Sequence, residues 1–123
     1  DAGMNDLMRP ALYGAVHPLE VVRSAAGGEG QSYGLVGPVC ESSDIFGLYD
    51  GLPTLSAGDL VAFRCAGAYS ASMASTYNAR DLVPEVFVSN GRFRIVRRRQ
   101  TTAELLALEK DTTWHDIASS QAP

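Results

Sequence analysis

The sharpest pattern of apolar and polar positions lies late in the chain, over residues 84–99, PEVFVSNGRFRIVRRR. Two alternating runs flank Asn90-Gly91 there. Alternation with period two marks a strand with one buried face, and Asn-Gly supplies the positive φ values of a tight hairpin turn. Val86, Val88, Phe93 and Ile95 are the expected contributors to the core. Arg92 and Arg94, then Arg97 and Arg99, put charge largely on opposite faces, so the phase of the alternation changes near Val96. Three shorter runs also read as strands: HPLEVVRSA at 17–25, YGLVGPV at 33–39 and LVAFRC at 60–65. Between them, 25–32 reads as a loop, and 45–59 reads mostly as turns, with Asp50-Gly51 and Gly58-Asp59 as turn signals.

Helical signals are few. Met4, Leu7, Met8, Leu12 and Val16 give one or two short turns, and Pro10 fits only if it sits in a first turn. Thr101-x-x-Glu104 is a capping box that starts a helix with an apolar side of Leu105, Leu106 and Leu108. Thr113-x-x-Asp116 is expected to cap a last turn that packs Trp114 or Ile117, with a frayed tail after Ala118. The segment 66–78, AGAYSASMASTYN, is small and polar enough for its backbone to approach a ligand closely. Several short strands, one hairpin and a late helix predict one mainly β domain over residues 1–123, with short helices and a sheet that upstream strands could complete.

Composition narrows the class without naming a function. The formal net charge is −4 and 20% of residues are charged, too mild a balance to imply an acidic or basic partner. The arginines at 92–99 fit a half-solvated strand better than a nucleic-acid surface, so no nucleic acid is expected, and the apolar runs are too short to suggest a membrane span, so no membrane is expected. Two cysteines do not make a secreted disulfide framework, and His17 and His115 have no neighbours at metal-ligand spacing. Methionine stands fourth, after Asp1-Ala2-Gly3, as expected of a piece of a longer chain.

Three blocks carry a family resemblance, in family order: DAGMNDLMRPALYGAVHP at 1–18, GPVCESSD at 37–44 and GDLVAFRCAGAYSASMASTYNARDLVPEVFV at 58–88. Together they resemble the C-terminal β domain of diaminopimelate decarboxylases, within the fold-type III pyridoxal-phosphate decarboxylases. The resemblance implies a β-sandwich or barrel-like domain of the alanine-racemase type, with the (β/α)8 barrel outside these residues. It also implies a cytoplasmic homodimer, head to tail, with active sites shared between subunits. The implied reaction converts meso-2,6-diaminopimelate to L-lysine and carbon dioxide with pyridoxal 5'-phosphate. Residue by residue, Arg9 and Tyr13 match the binders of the distal carboxylate, and Glu41 matches the reader of the distal ammonium. Cys40 matches the cysteine projected into the partner's site as an acid, and Tyr69 the tyrosine near substrate and cofactor phosphate. Cys65, Ser70 and Val16 depart from a common aspartate, glycine and tyrosine.

The residue chemistry agrees with those roles. The distal end of diaminopimelate is an α-amino acid, so it presents a carboxylate and an ammonium. Arg9 can meet the first with two parallel donors, and Glu41 can meet the second with opposite charge. Ornithine has no distal carboxylate and would leave Arg9 unpaired, a cost of several kcal/mol in a closed site on the order-of-magnitude scale. Cys65, in an apolar strand, reads as structural. The sole lysine, Lys110, reads as a solvated helix end, so the cofactor's lysine is expected in the barrel and the 123 residues alone are expected to be inactive. A sister decarboxylase acting on ornithine, arginine or carboxynorspermidine is the first rival, and a non-catalytic β assembly module the second.

Overall fold

A computed structural model describes residues 1–23, 30–110 and 113–117. The chain runs α1 (Arg9–Tyr13), β1 (Leu19–Arg23), β2 (Gln31–Val36), β3 (Ile45–Leu52), β4 (Leu60–Phe63), α2 (Gly67–Met73), a 3₁₀ turn (Tyr77–Ala79), β5 (Glu85–Ser89), β6 (Arg92–Arg97) and α3 (Thr102–Ala107). It is mainly β with short helices, as its alternation predicts. The strands pair as three antiparallel two-stranded ribbons, β1–β4, β2–β3 and β5–β6, rather than as one continuous sheet. The β1–β4 pair encloses the β2–β3 hairpin, so the first half of the chain is nested. Among the described residues, no helix is long and apolar enough to cross a membrane.

The hairpin turns as expected, with φ of 51° at Asn90 and 70° at Gly91. Its register moves from Glu85↔Arg97 to Val86↔Ile95, which leaves Val96 as the extra residue of a bulge. That bulge is the phase change of the arginines. It places Arg97 against Glu85 at 2.8 Å. Val86, Val88, Phe93 and Ile95 do not form a core within these residues: Val88 is 75% exposed and Phe93 74%. The physical reason is that a two-stranded ribbon needs a facing layer, and no described element supplies one on that side.

The reading of 45–59 as mostly turns is corrected. Residues 45–52 form β3, eight residues long. Gly47 (φ 133°) and Gly51 (φ 75°) sit where the register with β2 shifts, so they serve bulges inside a strand instead of ending one. Gly58-Asp59 is a true turn, closed by the Asp59 N–H donating to Ser56 O at 3.0 Å. The segment 66–78 also holds more structure than its small residues suggest, since 67–73 is helical and alanine is the best helix former. Most of the loop expected at 25–32, and the tail after Ala118, lie outside the described residues. Trp114 is 98% exposed, and Ile117 is exposed as well, so neither packs as expected.

The core is small and lies between the N-terminal segment and β3. Leu7, Val39 and Phe46 are its buried apolar residues, joined by buried Asn5, His17 and Asp44. Phe46 packs on Phe63 of β4 with ring centroids 4.7 Å apart, and Tyr49 lies 6.3 Å from the same ring. The Tyr49 hydroxyl donates to His17 O at 2.9 Å, which ties β3 to the strand entering β1. Burial pushes the Tyr49 phenol up from its ordinary pKa, which favours the protonated donor form.

Candidate functional site

The site is built outward from a turn at residues 3–7. Gly3 O accepts the N–H groups of Asp6 (2.9 Å) and Leu7 (3.1 Å), and Gly3 N–H donates to the Asp6 carboxylate at 3.0 Å. Asn5, buried beneath, accepts Ser75 N–H on its carbonyl at 2.9 Å, fastening the end of α2 to the turn. Helix α1 starts directly afterwards. Pro10 lies in its first turn, where no N–H is needed, and Gly14 (φ 64°) ends it with its N–H on Pro10 O.

One turn of helix places Arg9 and Tyr13 four residues apart on the same side. The Arg9 guanidinium sits over the ring of Tyr69, 5.3 Å from its centroid. Tyr69 projects from the middle of α2 and is 62% exposed; Tyr13 is equally open. Three of the residues singled out in the sequence therefore gather on one surface: Arg9, Tyr13 and Tyr69. The aromatic quadrupole attracts the guanidinium there, and among the described residues Arg9 makes no ion pair, so its N–H donors remain available for a carboxylate.

Cys40 and Glu41 form a second group, on the loop between β2 and β3. Both are exposed. The Glu41 carboxylate accepts Ser43 N–H at 3.3 Å and the Ser42 hydroxyl at 3.1 Å. These donors, the Ser43 N–H first, hold its pKa below the ordinary carboxylate value. The loop returns on itself through Gly37 N–H to Asp44 O (2.9 Å) and Asp44 N–H to Glu41 O (3.0 Å). Ser43 then reaches the sulfur of Met4 at 3.8 Å, so this loop and the turn before α1 touch. Among the described residues Arg9 and Glu41 make no ion pair with each other, and each charge stays available.

Three further residues bear on the site. Asp44 is a buried carboxylate whose partners are backbone N–H groups, and only its place in a polar run hinted at it. Cys65 is not part of β4, where it was expected; it lies exposed on a bend at φ 56°. Ser70, where glycine is common in the resembled family, has its hydroxyl buried without a hydrogen-bond partner, beside a cleft of about 220 Å³ lined by Ala66, Ala71, Ala74 and Val83.

Comparison with known proteins gives this geometry a lineage. The chain is 48% identical over 119 residues to diaminopimelate decarboxylase of Streptomyces coelicolor, a match covering 89% of this chain and 27% of that protein. It is 47% identical over 122 residues to the Escherichia coli K12 enzyme of the same name, covering 89% and 29%. A crystal structure of diaminopimelate decarboxylase superposes with a TM-score of 0.83 at 44% identity, over 92% of this chain and 30% of that one. Another, from Helicobacter pylori and complexed with L-lysine, gives 0.80 at 40% identity, over 92% and 28%. The chain thus spans less than a third of the length of these relatives. The family pattern described as "Pyridoxal-dependent decarboxylase, C-terminal sheet domain" matches residues 1–67, more than half of the sequence, and the chain belongs to that family.

Proposed function

We propose that this domain serves a cytoplasmic, homodimeric decarboxylase that converts meso-2,6-diaminopimelate to L-lysine and carbon dioxide. The remaining length of the protein would supply a barrel domain. The observation that carries the reading is Arg9, held over the Tyr69 ring without an ion-pair partner among the described residues, and backed by Tyr13 one helical turn on. Arg9 and Tyr13 would bind the distal carboxylate. Glu41, kept ionised by its loop donors, would bind the distal ammonium. Cys40, next to Glu41 and exposed, would deliver a proton to the reacting carbon in the partner subunit's site. Names of the relatives support the substrate, and so does the L-lysine bound by one of them, because lysine retains the same zwitterionic end.

The residues fit a supporting role toward pyridoxal phosphate, not its anchoring. The Tyr69 hydroxyl is exposed and can donate to a phosphate oxygen, and a side chain added at neighbouring Gly67 would meet nothing within 4 Å, so the approach is open. The sole lysine, Lys110, is exposed beyond α3, so the amine that holds the cofactor would come from the barrel. When bound, the cofactor supplies an electron-withdrawing ring that accommodates the electron pair left as carbon dioxide departs.

Full-length protein carrying Arg9→Met tests the reading. Losing a bidentate charged contact is expected to lower kcat/KM for diaminopimelate by about a hundredfold, on the scale of 2–3 kcal/mol. Carbon dioxide release at the wild-type kcat/KM would overturn the assignment of Arg9, and a wild-type protein that releases none from diaminopimelate would overturn the function.

A further inference from the structure

The Asp44 carboxylate reaches a backbone N–H that lies 40 positions away in the chain and ties it to its own loop. Oδ1 accepts Met4 N–H and Oδ2 accepts Val39 N–H, each at 2.7 Å, and the residue is only 3% exposed. Short bonds from N–H groups to an ionised acceptor are among the stronger ones, and burial removes competing water. Met4 belongs to the turn that launches α1 and Arg9; Val39 immediately precedes Cys40 and Glu41. Asp44 also closes the loop through its own backbone, on Gly37 and Glu41. The loop donors that orient the Glu41 carboxylate, Ser42 and Ser43, lie within this closure.

We propose that Asp44 is a positioning residue for substrate recognition. It fixes the spacing between the half-site a subunit keeps, at Arg9, and the half-site it presents to its neighbour, at Cys40 and Glu41. This inference rests on the decarboxylase reading. Asp44 touches no substrate; it acts through Glu41. A residue serving the core alone would alter stability without altering recognition of the distal end in particular.

The test uses the full-length holoenzyme with Asp44→Asn, which keeps the shape but sets an amide N–H₂ group against one of the two backbone donors. KM for diaminopimelate and the inhibition constant of L-lysine are expected to rise about tenfold, the equivalent of one charge-assisted hydrogen bond. In a Glu41→Gln background the same substitution should change KM far less, because the group being positioned is gone. Wild-type values of both constants in Asp44→Asn overturn the proposal, as does an equal loss in both backgrounds. Should Asp44→Asn not fold, Asp44→Glu is read in its place, with the same two constants. Amide exchange at Met4 and Val39 in the wild-type protein reads the clamp without activity: protection is expected, and fast exchange at both overturns it. A wild type that leaves diaminopimelate intact sinks the decarboxylase reading instead, and the exchange result then still stands on its own.

Discussion

Replacing Gly37 by alanine adds one methyl group at the tightest place in the loop. A Cβ built there lies 2.5 Å from the carboxyl carbon of Asp44, about 1 Å inside ordinary contact between carbon atoms. Asp44 cannot retreat freely, because its two oxygens are held at 2.7 Å by Met4 and Val39. Relief requires at least one of those bonds to open. Hydrogen bonds to charged groups contribute about 1.5–3 kcal/mol each, and some residual strain remains, so the expected destabilisation is about 2–4 kcal/mol. Gly34→Ala is the matched control. Its new Cβ would meet only Leu48 Cδ2 at 3.5 Å, an ordinary contact, and Gly34 is not among the positive-φ residues. It should be neutral or raise stability by about 0.4–1 kcal/mol through the unfolded chain. Urea unfolding of full-length variants, followed with amide exchange at Met4 and Val39, separates the two. Should both alanines shift the transition equally and leave those amides equally protected, the steric account of the loop is wrong.

Two further outcomes concern the core and the last helix. Phe46→Ala is expected to cost about 3–5 kcal/mol in the same unfolding assay, since Phe46 is buried and its ring packs at a tilt on Phe63, 4.7 Å between centroids; a change below about 1 kcal/mol would remove it from the core. Arg98 beside Glu104, with help from Thr101, pulls the Glu104 carboxyl down from 4.5 to about 2. A depressed pKa means that its support for the start of α3 is fully present above pH 4.5 and is lost as pH falls through about 2. Carboxyl NMR titration of Glu104 reads this directly, and a midpoint at the ordinary 4.5 would refute the contact.

Features governed by neighbours in sequence were legible in the chain. Asn90-Gly91 made its turn, Thr101 and Glu104 made both halves of their box, and the phase of the arginines marked the bulge at Val96. Arg9 and Tyr13 were readable for the same reason, since one helical turn joins them. Glycines misled where they served bulges: the turn chemistry at Asp50-Gly51 is real, but β2 recruits it into a ladder. Asp44 was hidden because its role depends on a backbone N–H 40 positions away, and a carboxylate in a polar run looks like any solvated acid. The apolar face of the hairpin was read correctly as a pattern and wrongly as buried, because alternation announces a need for cover and says nothing about what meets it.

Pairing strands only two at a time has a cost for solubility. Among the described residues, each ribbon has outer edges that pair with no further strand, and the exposed aliphatic and aromatic groups of β5 and β6 lie alongside such edges. Edges of this kind are templates on which another strand can anneal. Copies of these 123 residues kept by themselves would therefore drift toward adhesion as their concentration rises, and whatever shields the ribbons acts as a chaperone as much as a scaffold.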